Sequence, residues 1–328
     1  MSPVYSIVVP IYNEETALPI LLRRLDALLD QLDAPGEAIL VDDGSRDTGS
    51  IVCEAKARAD SRYRYLRLSR NFGHQIAITA GMDAALGDAV VVMDADLQDP
   101  PEIVHEMIAK WKAGYQVVYA ERLSRAGESR FKRVTANLFY RLLDRLSPVA
   151  IPRNVGDFRL VDRKVVDSFR TMPERDRFVR GMFAWLGFSQ ATVQFHRQPR
   201  IAGQTKYPLV KMARLAVNGL VSFSDAPLRL ALWMGMGVST IAMLYGAWVI
   251  AMWATNADLV PGWSSIVVVV AFLGGVNMMM TGIMGLYIGR IHAEVKGRPL
   301  YVVDKMVSLD AEAAASAESS RKMTLVRP

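Results

Sequence analysis

Two long stretches near the C-terminus contain no charged residue, and they restrict the fold more than any other feature of the chain. They run from Leu230 to Ala254 and from Gly262 to Gly289. Each is longer than the ~20 residues that a helix needs to cross a bilayer. Aromatic residues of the kind found at membrane interfaces lie near their ends (Trp253, Trp263 and Tyr287). Buried helices of a soluble core are the alternative, but such helices are usually shorter and carry a polar face. We therefore predict two transmembrane helices.

The distribution of basic residues predicts the orientation of this helix pair. The link between the stretches, Thr255–Pro261, is short and holds a single charged residue, Asp258. Basic residues flank the other side of the pair: Arg229, Arg290, Lys296 and Arg298. Because basic flanks stay on the cytoplasmic side of a membrane, we expect both termini and the residues before the pair to be cytoplasmic. The tail after Asp304 is rich in Ala, Ser and Glu, which predicts disorder.

Composition excludes some classes of protein and leaves others open. Lys and Arg total 39 and Asp and Glu total 33 in a chain of 328 residues, so the net charge is +6. This excess fits a membrane surface or a phosphorylated substrate as well as a nucleic acid. Cys53 is the only cysteine, which excludes an intrachain disulfide and a thiolate metal cluster. The four histidines are scattered and suggest no zinc site, and the N-terminus does not resemble a secretory signal.

The first 120 residues alternate between short apolar runs and helical patterns. Strands are predicted at Tyr5–Ile11, Glu37–Val41, Tyr63–Leu68, Ala89–Met93 and Gln116–Ala120. Helices are predicted at Leu18–Leu32, Thr48–Ala59, His74–Leu86 and from Pro100 to about Ala113. Such alternation predicts an α/β fold with a parallel sheet covered on both faces, in which ligands bind beyond the carboxyl ends of the strands.

Acidic residues follow three of the predicted strands at that edge. The pairs are Asn13 and Glu14, Asp42 and Asp43, and Asp94 and Asp96. Convergent carboxylates repel one another unless a cation joins them, and oxygen ligands of this kind suit Mg²⁺ or Mn²⁺. We therefore expect three acidic strand ends to share one divalent ion.

Simpler interpretations of these acids remain open from the residues alone. The "DAD" segment could be a solvated turn, and Asp99 before Pro100 could cap the following helix. The "DDGS" segment could be an ordinary turn, or Asp42 and Asp43 could accept hydrogen bonds from a base or a ribose. No G-x-G-x-x-G follows the first strand, and no G-x-x-x-x-G-K-[ST] occurs, which argues against dinucleotide and P-loop folds. A nucleotide diphosphate held by metal and carboxylates remains the natural ligand.

Four segments in order resemble a known family. "VVPIYNEE", "LVDDGSRD", "RNFGHQIAITAGMDAALGD" and "MDADLQDPPE" are similar to the successive motifs of family 2 glycosyltransferases with the A-type (GT-A) fold. With the two apolar stretches, the resemblance extends from residue 4 to about residue 300. It is strongest to the polyprenyl-phosphate glycosyltransferases, such as dolichol-phosphate mannose synthase and the bacterial bactoprenol glucosyltransferases. It implies a Rossmann-like nucleotide-sugar domain, interfacial amphipathic helices and a C-terminal transmembrane hairpin.

The resemblance assigns roles on the donor side. It implies a nucleotide site formed by Pro10, Tyr12, Glu14, Asp42, Asp43 and Asp94. Asp94 would lie near the ribose and the diphosphate. The Mg²⁺ or Mn²⁺ ion would be held by Asp96, Asp94 and Gln98, with Asp96 also counted as catalytic.

The resemblance also assigns roles on the acceptor side. In "NVGDFRLVDR", Asp157 resembles the proposed base of the family. "RIAGQTKYP" resembles an R-x-x-G-x-S-K-Y loop, with Thr205 where serine is usual. The acceptor phosphate would be bound by Arg200, Lys206 and Arg159.

Two segments have the pattern of interfacial helices, and the resemblance divides the chain around them. "SRFKRVTANLFYRLLDRL" and "PLVKMARLAVNGLVSF" each combine an apolar face with a basic one, which fits the headgroup plane, although core packing is the alternative. The expected parts are a cytoplasmic catalytic domain (1–205), an interfacial helix and linker (206–228), the hairpin (229–290) and a cytoplasmic tail with a disordered end (291–328).

The implied reaction is metal-dependent, inverting transfer of a hexose to a polyprenyl phosphate, with undecaprenyl phosphate expected, at the cytoplasmic face of a bacterial inner membrane. UDP-glucose is the expected donor, and GDP-mannose or another UDP-sugar is the alternative. A processive polysaccharide synthase is disfavoured because the Q-x-x-R-W motif is absent and one hairpin cannot form a channel. A non-catalytic scaffold is disfavoured because the acids are intact. No nucleic-acid partner is expected, and a homo-oligomer would be permitted by close helix packing at Gly235, Gly237, Gly274 and Gly275.

Overall fold

The structure is a computed structural model that describes residues 2–123, 155–175, 177–195, 226–254 and 262–309. Several predictions fall outside these residues. They are both interfacial helices (129–146 and 208–223), Thr205, Arg200 and Lys206, the link at 255–261 and the end of the tail from residue 310.

The N-terminal part alternates strands and helices much as the sequence predicts. Strands β1 to β5 span Tyr5–Ile11, Gly36–Asp42, Tyr63–Leu68, Ala89–Val92 and Val117–Arg122. Helices α1 to α4 span Leu18–Gln31, Gly49–Ala59, His74–Ala84 and Val104–Lys112, and a 3₁₀ turn at Pro101–Ile103 precedes α4. The predicted bounds of β1 and β3 are those observed, because each is a buried run with clear breaks on both sides.

The later elements include three strands that the sequence did not predict, β6, β7 and β8. In chain order, the elements after β5 are β6 (Val155–Asp162), α5 (Arg163–Arg170), α6 (Val179–Trp185), β7 (Gln190–Phe195), α7 (Ala226–Ala254), α8 (Trp263–Val295) and β8 (Val303–Val307). Within the described residues, eight strands form one sheet in the order β7-β5-β6-β4-β1-β2-β3-β8. The chain thus has a mixed α/β sheet of the GT-A type.

A parallel sheet was predicted from the first five strands, and β1 to β5 do run parallel to one another, but the sheet also contains antiparallel strands. Strands β4, β1, β2 and β3 are parallel, but β6 runs antiparallel between β4 and β5, and β8 runs antiparallel to β3. The sequence hides β6 because two charged residues, Asp157 and Arg159, are buried within it. It hides β8 because an edge strand is held mainly by main-chain hydrogen bonds, which leave little apolar pattern. Residues 305–307 of the predicted disordered tail therefore form part of a strand.

Close packing of α3 on the sheet sets the position of the site. A Cβ atom on Gly81 of α3 would lie 2.2 Å from Val8 Cγ1 and 2.9 Å from Val41 Cγ2, so only glycine allows this contact. Because α3 follows β3, its first residues lie at the carboxyl edge of the parallel strands. The antiparallel direction of β6 brings the start of that strand to the same edge: Arg159 pairs with Val92, and Asp157 lies beyond the end of β4.

The chain divides into two compact units, one holding the sheet with its helices and the other holding α7 and α8. In the second unit, a Cβ atom on Gly235 would lie 2.8 Å from Met280 Cε, so the two helices pack closely there. Segments Ala231–Trp248 and Phe272–Val295 are long and apolar enough to cross a membrane. Their side chains are largely exposed, with Met278 at 79% and Met243 at 71%. Helix α8 continues six residues beyond the predicted end at Gly289, to Val295.

Candidate active site

The loops after β1 and β2 are fastened to each other. The Ser45 hydroxyl oxygen accepts a hydrogen bond from the Asn13 amide at 3.1 Å, and the Asn13 side chain accepts one from the Arg46 amide at 2.9 Å. Asn13 has a positive φ of 56°, a conformation that asparagine tolerates better than most residues. Of the predicted nucleotide ligands nearby, Pro10 is buried in β1, Glu14 is half-buried and Tyr12 is 44% exposed.

Asp42 and Asp43 are both buried, and protein donors occupy their carboxylates. Asp42 accepts hydrogen bonds from the Ser45 amide and the Tyr65 hydroxyl, both at 2.7 Å. Asp43 accepts them from the amides of Phe72 (2.7 Å) and Gly73 (2.9 Å). Burial raises the pKa of Asp43, although these two amide hydrogen bonds act in the opposite direction. These contacts support the interpretation of "DDGS" as a turn, and a contact from either acid to a nucleotide stays a prediction.

The turn between Asp43 and Ser45 requires its glycine. Gly44 has a φ of +70°, and a Cβ atom there would lie 2.6 Å from the carbonyl carbon of Arg70. A substituted side chain would therefore be strained by its own backbone and would collide with the main chain that precedes the Asn71–Gly73 loop. The turn thereby holds this loop, and with it the start of α3, against the end of β2.

The segment after β4 folds into a tight loop around its own acids. The Asp96 carboxylate accepts a hydrogen bond from the Gln98 amide at 3.1 Å, and Leu97 has a positive φ of 61°. Asp99 turns back and accepts a hydrogen bond from the Asp94 amide at 3.4 Å. The alternative role of Asp99 as a helix cap is wrong, because the 3₁₀ turn is preceded by Pro100 and has no side-chain cap. Asp99 instead shapes the loop that presents Asp94 and Asp96.

The pKa values of Asp94 and Asp99 are both raised above the ordinary range of a carboxyl group. Burial raises the pKa of Asp94, and burial together with the neighbouring Asp94 charge raises that of Asp99 to about 7. Arg122 offsets this only weakly, since its Nη2 atom lies 3.8 Å from Asp99 Oδ1. The buried Oδ1 atoms of both acids accept no hydrogen bond. Two buried carboxylate oxygens without a donor are a favourable environment for a cation.

Asp157, at the start of β6, is held by four side chains. Its Oδ1 atom accepts hydrogen bonds from Arg180 Nε at 3.0 Å and from Arg159 Nη2 at 3.1 Å. Its Oδ2 atom accepts one from Gln75 Nε2 at 3.1 Å and lies 3.2 Å from His74 Nε2. The side chain is only 6% exposed. The carboxylate is therefore fixed on both oxygens.

These partners determine the protonation state of Asp157. Burial by itself would raise the pKa of this carboxyl, but the charge of Arg180, the His74 hydrogen bond and the charge of Arg159 outweigh it. The pKa of Asp157 therefore lies well below its usual range. A carboxylate of this kind is a weak proton acceptor at neutral pH.

His74 connects the two groups of acids. Its Nε2 atom lies 3.3 Å from Asp94 Oδ1 and 3.2 Å from Asp157 Oδ2. Burial lowers the pKa of His74, but the Asp157 hydrogen bond and the two negative charges outweigh burial and raise it. One imidazole thus joins the "DAD" loop to the Asp157 cluster, so the two predicted halves of the site meet.

Arg159 occupies a different environment from the one its predicted role requires. The residue is fully buried, its Nε and Nη2 atoms donate to the carbonyls of Asp157 and Gly156 at 3.1 Å, and its guanidinium lies 5.2 Å from the Phe183 ring centre. These contacts brace β6 from within. Its contact with an acceptor phosphate stays a prediction, and the geometry favours a role in positioning Asp157.

Comparisons with known proteins identify the family of this chain. Residues 6–170 match the sequence profile of "Glycosyl transferase family 2". The uncharacterized glycosyltransferase YkcC of Bacillus subtilis (strain 168) is 47% identical over 306 residues, which cover 93% of this chain and 95% of that protein. The chain belongs to glycosyl transferase family 2.

Further relatives of this glycosyltransferase include a functionally named protein and a more distant structure. The SfII prophage-derived bactoprenol glucosyl transferase of Shigella flexneri is 41% identical over 300 residues, which cover 92% of this chain and 97% of that protein. Glucosyl-3-phosphoglycerate synthase from Mycobacterium tuberculosis, crystallised with Mn²⁺, UDP and phosphoglyceric acid, superposes with a TM-score of 0.47 at 21% identity. The superposition covers 67% of this chain and 78% of the synthase chain.

The predicted sharing of one ion by three acidic strand ends is not what the structure shows. Among the described residues, no group of three or more His, Cys, Asp or Glu side chains is arranged to hold a metal ion. The reason is that Asp42 and Asp43 bind protein donors instead. The oxygen-rich loop of Asp94, Asp96 and Gln98, in which Asp94 Oδ1 accepts no hydrogen bond, still fits a magnesium-type ion by its chemistry.

Sequence reasoning missed several residues that this glycosyltransferase places in its site. His74 and Gln75 lie inside a motif quoted for the family resemblance, but nothing local marks them as partners of Asp157. Arg180 and Arg122 carry no sequence signal at all. Gly156 lies beside Arg122, since a Cβ atom there would be 2.6 Å from the Arg122 Nη2 atom, so a side chain at this position would displace the guanidinium.

Proposed function

We propose that this glycosyltransferase moves a hexose from a nucleotide sugar to a polyprenyl phosphate, with inversion, at the cytoplasmic face of a membrane. The observation that carries the proposal is the His74 bridge, which brings the donor-side acid Asp94 and the acceptor-side acid Asp157 to a single imidazole. The name of the Shigella relative, a bactoprenol glucosyl transferase, supports a polyprenyl phosphate as the acceptor. The apolar helices α7 and α8 support membrane attachment.

On the donor side, we assign the nucleotide to Pro10, Tyr12, Glu14, Asp42, Asp43 and Asp94. Mg²⁺ or Mn²⁺ would be held by Asp94, Asp96 and Gln98, where it would neutralise charge on the departing diphosphate. UDP-glucose is the preferred donor because the Shigella relative is named a glucosyl transferase, and GDP-mannose or another UDP-hexose is the alternative.

In the transfer step, an oxygen of the lipid phosphate forms a bond to the anomeric carbon. The bond from that carbon to the diphosphate oxygen breaks, and its electron pair leaves with the nucleoside diphosphate. A phosphate monoester has a second pKa near ~6 and is mostly dianionic at neutral pH, so the attack requires no strong base. Attack opposite the leaving group converts an α-linked donor to a β-linked product.

Asp157 would act in this step through the cations that it fixes. Its low pKa suits a permanent anion that orients Arg180 and His74, and not a group that takes up a proton. Arg200 and Lys206, with Arg159 as the less favoured third cation, would bind the acceptor phosphate.

The test is a product assay with the purified full-length protein. It would be incubated with undecaprenyl phosphate, Mg²⁺ and each of a panel of nucleotide sugars, and the lipid product would be identified by mass spectrometry. We expect one hexose per lipid with UDP-glucose, and near-complete loss with Asp96→Asn or with a chelator. A polymeric product, or no glycolipid with any donor, would contradict the proposal.

A further inference from the structure

A closed ring of hydrogen bonds surrounds the side chain of Gln75. Its Nε2 atom donates to Asp157 Oδ2 at 3.1 Å, and its Oε1 atom accepts from the Val179 amide at 3.2 Å. Val179 is the first residue of α6, and its neighbour Arg180 returns to Asp157 with Nε at 3.0 Å from Oδ1 and Nη2 at 3.3 Å from Oδ2. The ring therefore joins the starts of α3, β6 and α6.

The two bonds of Gln75 require a primary amide of this length. The bond to Asp157 needs a donor, and the bond to the Val179 amide needs an acceptor. Glutamate at this position would keep the acceptor but would place a second carboxylate against Asp157. Methionine has a similar shape but makes neither bond, and asparagine is one methylene too short to reach both partners.

The ring restricts the movement of the Arg180 and Asp157 side chains more than the ion pair between them does by itself. Arg180 is 31% exposed and could rotate about a long side chain, whereas Asp157 is 6% exposed and Val179 is fully buried. Gln75 fixes the main chain next to Arg180 and one oxygen of Asp157 at the same time. Removing it would leave the Arg180–Asp157 pair in place but free to shift.

We infer that Gln75 is a positioning residue for the transfer step, holding the Asp157 carboxylate and the start of α6 so that Arg180 keeps one orientation toward the reacting groups. This inference rests on the proposed function. Displacements of about 1 Å in positioning groups can lower a rate by ~100-fold. The two hydrogen bonds of the Gln75 side chain reach Asp157 and the start of α6, so its effect should fall on turnover and not on donor affinity.

The experiment compares Gln75→Met, Gln75→Glu and Gln75→Asn with wild type in the glycolipid assay. We expect kcat to fall by ~10- to 100-fold in all three, with KM for the nucleotide sugar changed less than about 3-fold. Thermal unfolding in detergent should show folded protein in each case. Gln31→Glu, at an exposed end of α1, is the matched control and should behave as wild type.

Three outcomes are decisive. A wild-type kcat in Gln75→Met, or a rise in donor KM with kcat unchanged, would overturn the positioning role. If Gln75→Met does not fold, the same judgement is made on Gln75→Asn, which keeps the amide and adds no charge. A wild-type protein that makes no glycolipid would overturn the proposed function itself, which is a different result from an active wild type with equally active variants.

Discussion

Aspartates with different roles meet in this site, and their neighbours decide which role each has. Asp157 has two guanidinium groups on one oxygen and remains an anion, whereas the nearest cation to Asp99 among the described residues is Arg122 at 3.8 Å, and burial raises the pKa of Asp99 to about 7. The same residue type therefore forms a fixed anion in one place and a near-neutral group in another. Removing the fixed anion would leave buried positive charge without a partner.

At the residue scale, we therefore predict different stability effects for the two acids assigned to catalysis. Asp157→Asn leaves the fully buried Arg159 without its counter-charge and should lower the free energy of unfolding by about 3–5 kcal/mol, the range for a broken buried ion pair. Asp96→Asn, at a half-buried position, should change it by less than about 1 kcal/mol. Unfolding monitored by circular dichroism in detergent measures both. Equal losses would show that Asp157 is not an electrostatic anchor.

At the element scale, β8 protects an edge of the sheet. β8 follows α8 in the chain and pairs with β3. Nearby, the Tyr301 hydroxyl donates a hydrogen bond to Asp83 at 2.9 Å, and the Lys305 ammonium lies 2.6 Å from the Glu54 carboxylate. An unpaired β3 would expose main-chain groups that invite association with other chains. A segment that follows α8 thus completes the catalytic sheet.

The burial pattern within β8 gives a matched test of this role. Val307 is 2% exposed, whereas Val303 on the same strand is 43% exposed. Val307→Ala removes the two buried γ-methyl groups and should lower the free energy of unfolding by about 1.5 kcal/mol. Val303→Ala should stay within about 0.5 kcal/mol. Thermal unfolding of the two variants measures the difference, and similar values would indicate that β8 does not pack on the sheet in solution.

At the scale of the whole molecule, α7 and α8 are the candidates for membrane attachment, because many of their apolar side chains are exposed among the described residues. Trp233 is 66% exposed and Met278 is 79% exposed. Surfaces of this kind are stable only against lipid or another protein. The predicted orientation, with the 255–261 link outside and both termini inside, follows from the basic flanks and stays a prediction.

This orientation can be tested with introduced cysteines, and the one native cysteine, Cys53, does not have to be replaced first. Cys53 is fully buried, and burial raises the pKa of its thiol to about 12, so at pH 8 it stays protonated and unreactive in the folded protein. The raised pKa keeps the thiol protonated above the ordinary thiol pKa, until the pH approaches 12. We expect a membrane-impermeant maleimide to label Asp258→Cys in intact cells, and to label Leu309→Cys only after the cells are broken. The reverse pattern would invert the proposed topology.

Local pattern alone was sufficient for much of the molecule. The elements up to β5 and the two long apolar helices follow from short segments, because periodicity reports how each side chain is buried. The membership of family 2 was indicated by the resemblance of four motifs to that family. The bounds of β1 and β3 agree to the residue for this reason. The motif that holds Asp94 and Asp96 was also recognisable, since both acids directly follow a buried run.

Only the tertiary structure decided how these acids are used. Gln75 meets Asp157 across 82 positions, and Asp42 is matched with Tyr65 across 23, and no local pattern encodes such pairs. The antiparallel β6 brings Asp157 to the edge where β4 ends, and the neighbours found there determine its charge. Sequence spacing determines which face of an element is buried, whereas a pKa or a hydrogen bond depends on which other element lies opposite.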